Sequence, residues 1–154
     1  IGIIDIGSNT FNLLVFCTKQ KKKLYNTEIF VGIRKGTNNN IINKNTVLKS
    51  ISTLNDFKNI CKKFECEKIY VIATASLRNA INKEKFIKEC KKHTDLLISV
   101  ISGETEANLI YEGVSNNIKK IKNFVIVDIG GASTEFIVVK NKKAVFKKKI
   151  FTNI

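Results

Sequence analysis

Apolar positions recur along this chain with two periods, and the switch between them marks its elements. Residues 2–6 and 11–18 are β-rich runs separated by a short polar turn, and 24–33 continues as a third run. Together they predict an antiparallel hairpin with a third strand beside it. The loop Gly36-Thr-Asn-Asn-Asn40 follows. The period then lengthens: Val47, Ile51, Leu54, Phe57, Cys61 and Phe64 lie three or four residues apart, which predicts a helix capped by Asn43 or Asn45. Residues 68–73 read as a short strand of the buried parallel kind. A helical region opens at 74–79 and continues through Phe86, Ile87 and Cys90, before another apolar strand at 96–101. Ser102 starts a helix with Ala107, Ile110, Tyr111 and Val114 on one face, and strands follow at 124–127, 136–139 and 144–151. The order predicts an α/β fold with a mixed sheet. Residues 1–117 form a first lobe, and 118–154 form the opening three-stranded meander of a second. No helix is assigned to the inner face of that meander, so further chain is expected to cover it.

One stretch organises the rest. Residues 124–139 read as an apolar strand, a turn of small residues and a second strand. Gly130 and Gly131 leave the turn's backbone bare, and Ser133 and Thr134 add hydroxyls. Exposed N–H groups in such a turn suit anions, phosphate above all. Asp128 and Glu135 flank it with carboxylates, the hard oxygen donors that Mg²⁺ shares with phosphates. An ordinary hairpin whose Asp caps the turn is the competing reading. The same pattern occurs again at Asp5-Ile-Gly-Ser-Asn-Thr-Phe-Asn-Leu-Leu-Val15, aligned with one residue inserted in the second turn. Two such hairpins facing each other would hold one polyanion across a cleft.

Composition changes this picture little. The 154 residues carry a formal net charge of +14, almost all of it from Lys. The lysine runs, 147–149 among them, lack an aromatic platform for stacking bases and read as solvated surface that attracts polyanions. Cys17, Cys61, Cys66 and Cys90 form no CxxC pair, and His93 is the only histidine. They read as buried, reduced thiols rather than a zinc site. No run of about 18 apolar residues and no signal peptide is visible, so a soluble, cytoplasmic protein is expected. The chain begins at Ile1 and contains no Met, which suggests part of a longer protein or a chain with its initiator removed. Glu104 and Glu106 fall in the first turn of the helix after Ser102, where dipole complementarity alone explains them.

Four blocks carry a resemblance: 4–15, 73–80 (Ala-Thr-Ala-Ser-Leu-Arg-Asn-Ala), 101–114 (Ile-Ser-Gly-Glu-Thr-Glu-Ala-Asn-Leu-Ile-Tyr-Glu-Gly-Val) and 127–136 (Val-Asp-Ile-Gly-Gly-Ala-Ser-Thr-Glu-Phe). In this order they resemble the exopolyphosphatase / guanosine-pentaphosphate phosphohydrolase family over nearly the whole chain. The resemblance implies an actin-like, sugar-kinase-like architecture of two ribonuclease-H-like lobes. It further implies Mg²⁺-dependent release of the terminal phosphate from polyphosphate or the pentaphosphate alarmone. Glu106 stands at the family's catalytic-base position, and Asp5, Asp128 and Glu135 match its acidic positions around metal and phosphates. Ser8, Asn9, Thr10, Gly130, Gly131, Ala132, Ser133 and Thr134 match the two phosphate loops. Arg78 matches a basic position near the substrate channel. Ala132 replaces a usual third Gly but still offers its N–H.

As partners, the resemblance implies polyphosphate or guanosine pentaphosphate, with no specific nucleic acid and no membrane, and it allows a homodimer of the full-length form. Glu106 would deprotonate a water for in-line attack on the end phosphorus. Two rivals remain at this stage: a kinase or ATPase of the same superfamily, and a non-catalytic lobe that binds polyphosphate. The Ser-Gly-x-x-Glu-Ala block argues against the first. Release of phosphate, as opposed to retention of the polyanion, separates the second.

Overall fold

The computed structural model describes residues 1–131 and 133–151. They pack as two compact units, Ile1–Val100 and Ile101–Ile154. In the first, β1 (Gly2–Ile6), β2 (Thr10–Cys17) and β3 (Lys22–Phe30) form an antiparallel meander. A small hairpin of β4 (Thr37–Asn38) and β5 (Ile41–Ile42) follows, its first strand lying in the loop expected at 36–40 and its second just past it. Then come α1 (Lys44–Lys63), β6 (Ile69–Ala73), α2 (Ala75–Asn79), α3 (Lys83–Thr94) and β7 (Ile98–Val100). The sheet order is β3-β2-β1-β6-β7, with β6 and β7 parallel to β1, so the predicted mixed sheet is present.

Alternation decides which face of this sheet is covered. Ile4, Ile6, Phe11, Leu13 and Val15 are buried in one apolar cluster with Leu54, Phe57 and Cys61 of α1 and with Phe86 and Cys90 of α3. The N-terminus of α1 is set by Asn43, whose Oδ1 accepts the Thr46 N–H at 2.9 Å. The predicted helical region after Thr74 is two helices. Ala80 turns extended, and the Asn82 side chain pairs with both backbone groups of Ile42 at 2.9 Å. The third strand stops at Phe30 rather than at residue 33. Val31 and Gly32 donate instead to the Asn9 carbonyl, and Arg34 donates to that of Ser8.

The second unit consists of α4 (Gly103–Asn117) and the meander β8 (Phe124–Ile129), β9 (Ser133–Lys140) and β10 (Lys143–Phe151), in the order β10-β9-β8. Element order had placed α4 with the first lobe, up to residue 117, and had left the meander's inner face bare. By packing, α4 belongs with the meander. Its Ala107, Ile110, Tyr111 and Val114 cluster with Ile126, Ile137 and Val139 of the sheet. Tyr111 also donates its hydroxyl to the Lys142 carbonyl at 2.5 Å. The opposite face of the meander presents Val125, Val127, Ile129, Phe146 and Ile150 to solvent.

The two meanders share one register. Asp5 pairs with Asn12 and Asp128 with Glu135, and the turns close through Gly7 N–H to Thr10 O at 3.0 Å and Gly130 N–H to Ser133 O at 2.9 Å. Each third strand also shifts register at the matching place, between Lys23 and Tyr25 in one and between Ala144 and Phe146 in the other. The second turn therefore carries no inserted residue. The sequence alignment introduced one by matching Val15 to Val139, whereas the ladder aligns Val15 with Val138.

All four cysteines are free; Cys61 and Cys90 are buried, and Cys17 and Cys66 half-buried. Burial pushes the Cys61 thiol up to about 11, helped by Cys66 beside it, and the Cys90 thiol up to about 12. Both are thereby kept as unreactive thiols at neutral pH. Among the described residues, no helix is long and apolar enough to cross a membrane.

Candidate active site

Strand pairing builds the centre of the second unit. Asp128, Glu135 and Lys149 are cross-strand partners, so β8, β9 and β10 each place one charged residue in a single row. Two residues further from the turn, the same face carries Ile126 and Ile137, which are buried within the cluster that includes α4. The charged row therefore lies where apolar cover gives way to the turn. Ser102 caps α4, its Oγ accepting the Thr105 N–H at 3.0 Å, and the first turn then brings Glu106 toward the row. Glu104, two residues earlier, is exposed.

The contacts are close. Lys149 Nζ lies 2.6 Å from Glu135 Oε1 and 3.4 Å from Glu106 Oε2. Ser133 Oγ donates to the same Glu135 Oε1 at 2.8 Å. The Glu135 side chain is 6% exposed, Glu106 15% and Lys149 20%. Asp128 lies at the solvent edge of the row, with its carboxyl partly shielded from water. That desolvation, followed by the charges of Glu135 and Glu106, raises its pKa above the ordinary 3.8, while Lys149 opposes the rise. Three carboxylates thus share one ammonium. This surplus of oxygen-borne negative charge fits a hard divalent cation. Among the described residues, however, no three His, Cys, Asp or Glu side chains form a ready metal-holding group. In this arrangement the cation between Glu135 and Glu106 is Lys149 itself.

The remaining predicted residues fall as follows. Asp5 lies in the first unit, on β1, and its Oδ2 accepts Asn12 Nδ2 at 3.4 Å. Ser8 and Asn9 form the first turn, and Thr10 starts β2. The carbonyls of all three already accept backbone N–H groups, Thr10 from Gly7 and the others from 31–34. Arg78 is in the last turn of the short helix α2. Gly130 and Gly131 are exposed, and the Gly130 N–H is used to close its turn. Ser133 and Thr134 belong to β9 and not to the turn; Ser133 is buried against Glu135, and alternation sends Thr134 to the opposite face. Ala132 lies outside the described residues.

Lys149 is the residue of the acidic row that sequence reasoning missed. It was read as part of a solvated lysine run. A two-residue count from Ala144 would even have selected Lys148, but the register shift between Ala144 and Phe146 exchanges the faces and turns Lys149 inward.

The profile of the Ppx/GppA phosphatase family matches residues 7–148, most of the chain. The chain belongs to the Ppx/GppA phosphatase family. It is 31% identical over 141 residues to a Haemophilus influenzae protein provisionally named an exopolyphosphatase, covering 90% of this chain and 44% of that protein. It is 32% identical over 150 residues to the guanosine-5'-triphosphate,3'-diphosphate pyrophosphatase of Aeromonas hydrophila, covering 92% of this chain and 29% of that one. The crystal structure of an exopolyphosphatase from Cytophaga hutchinsonii superposes with a TM-score of 0.88 at 29% identity, covering 97% of this chain and 49% of that one. This Ppx/GppA chain therefore spans half the length of these relatives or less. Its fold is the expected α/β one with a mixed sheet, followed by a second three-stranded meander in the register of the first.

Proposed function

We propose that this chain is part of a phosphohydrolase that releases the terminal phosphate from inorganic polyphosphate or guanosine pentaphosphate. The observation that carries the reading is the placement of Glu106: α4 holds it 3.4 Å from Lys149 over the acidic row, while Glu104 faces solvent. A carboxylate fixed in this way has its orientation set before substrate arrives, which is what a general base needs to take a proton from water. The terminal phosphate is the electrophile, and hydrolysis asks little of the protein beyond positioning and charge.

Asp128 and Glu135 would be the oxygen donors for Mg²⁺ at the acidic row, and Asp5 is a candidate donor on β1. Bound there, Mg²⁺ supplies neutralisation of phosphate charge. Ser8, Asn9, Thr10, Arg78, Gly130, Gly131 and Ala132 are the phosphate-binding residues of this reading. Ser133 takes a supporting place, because its hydroxyl is directed at Glu135. The enzyme acts in the cytoplasm and involves neither a membrane nor a specific nucleic acid.

The test is phosphate release by the full-length protein, with polyphosphate and guanosine pentaphosphate offered in turn, before and after thorough chelation of divalent ions. Release that chelation abolishes is expected for at least one substrate. Retention of polyphosphate without release would make the protein a binding module, and undiminished release after chelation would remove the metal from the reading.

A further inference from the structure

A lysine is an unexpected residue to find where an acidic row is read as a metal site. Lys149 Nζ takes Glu135 Oε1 at 2.6 Å, the oxygen that also accepts Ser133 Oγ, and reaches Glu106 Oε2 at 3.4 Å. Its stem enters from β10, the strand opposite β8 on which Asp128 stands, so the ammonium closes the row from the far side. At 20% exposure this is a held ion pair rather than a surface one. The equivalent row of the first meander reads Asp5, Asn12, Glu28, with no cation in the place of Lys149. The lysine is therefore a feature of this row and not of the repeated hairpin.

An ammonium and a divalent ion compete for one carboxylate oxygen. They repel each other, and Lys carries a compact charge with three rotatable donors on a flexible stem. That stem lets the charge leave Glu135 for a nearby phosphate oxygen without any change in the backbone. We propose that Lys149 is the resident counter-cation of the Asp128–Glu135 row: a divalent ion gains this row only as Lys149 lets go of Glu135, so that the site takes metal together with phosphate and binds the bare ion poorly. The inference rests on the phosphohydrolase reading above and adds to it the order in which the site is filled. In its resting place Lys149 also holds Glu106, which makes it a positioning residue for the base.

The experiment is Mn²⁺ binding to the full-length protein without phosphate, followed by the electron paramagnetic resonance of the free ion. Wild type, Lys149→Met, Lys149→Gln and Lys149→Arg are compared, and circular dichroism verifies that each is folded. Removing the ammonium is expected to tighten Mn²⁺ binding by about tenfold or more in both neutral variants, since one repelling charge is lost. Lys149→Arg is expected to bind as weakly as wild type. Adding Asp128→Asn to Lys149→Met should abolish the gain.

The sign of the effect decides the matter. A lysine that merely braces Glu135 for metal would, when removed, weaken Mn²⁺ binding or leave it unchanged, and either result in a folded neutral variant overturns the proposal. A gain that survives Asp128→Asn would place the ion elsewhere and overturn it as well. Tight Mn²⁺ binding by wild type that Asp128→Asn abolishes would leave the metal reading standing and refute only the role of Lys149. Failure of chelation to affect phosphate release bears on the metal reading alone, through the separate test given above.

Discussion

Replacing Ser133 by Ala removes one hydroxyl from a place where two donors share a carboxylate oxygen. Ser133 is 4% exposed, and its Oγ donates to Glu135 Oε1 at 2.8 Å, while Lys149 Nζ contacts the same atom at 2.6 Å. A hydrogen bond to a charged group contributes about 1.5–3 kcal/mol net, and because Lys149 stays on that oxygen the loss falls at about 1.5–2 kcal/mol. Glu135→Gln keeps an acceptor but removes its charge, which reduces the same bond to about 0.5–1.5 kcal/mol. Ser133→Ala is thus expected to cost less in the Gln background, with a coupling of about 1 kcal/mol between the two positions. Loosening of Lys149 by Glu135→Gln occurs in both backgrounds and cancels. The assay is urea unfolding of the four full-length proteins at pH 7. A Ser133→Ala variant within about 0.5 kcal/mol of wild type, the range of an ordinary surface change, would refute the bond's role. So would equal costs in the two backgrounds.

Other expectations follow from particular contacts. Asp128 has its pKa raised above 3.8, by desolvation first and then by Glu135 and Glu106, so the folded state holds this proton to higher pH than the unfolded chain does. Stability attributable to this group therefore falls as pH rises from the ordinary value through the raised one, and at neutral pH ionised Asp128 is a cost. Asp128→Asn is expected to unfold at higher urea than wild type at pH 7 in the presence of chelator. That advantage should close when both are measured below the ordinary carboxylate range. At the other end of the chain, Asn43→Ala removes the cap of α1 and is expected to cost about 1 kcal/mol, read as a lower thermal midpoint by circular dichroism.

What could be read from the sequence was whatever a local period or a local turn expresses. The three- and four-residue spacing from Val47 to Cys61 foretold α1 and its buried face, and Asn43 was one of the two caps considered. The repeated Asp-Ile-Gly foretold two related hairpins, and the position of Glu106 separated it from Glu104 only through the family blocks. What could not be read depends on partners distant in sequence. Asn82 ends one helical region by bonding to the backbone of Ile42, forty residues away, and no local pattern expresses that. The face of α4 was legible, but the strands that receive it were not, because Ile126, Ile137 and Val139 lie beyond the helix in sequence. The β-bulge after Ala144 left no mark in composition, yet it decides which lysine of the run points inward. Ser133 was read as a turn hydroxyl because small residues suggest turns. In the ladder it is the first residue of β9, and its hydroxyl is turned toward Glu135.

Among the described residues, Glu106 is one of three carboxylates at the acidic row, and the account gives it alone the part of general base. The most direct measurement is phosphate release from polyphosphate by full-length Glu106→Gln and Glu104→Gln, each compared with wild type. Glutamine keeps the shape of Glu106 but accepts no proton from water, so turnover is expected to fall by about 10²–10⁴, with folding and polyphosphate binding intact. Glu104 is exposed, and its replacement is expected to leave turnover within a few-fold of wild type. Equal turnover in the two variants, or a fall larger for Glu104→Gln, would contradict the assignment of the base to Glu106.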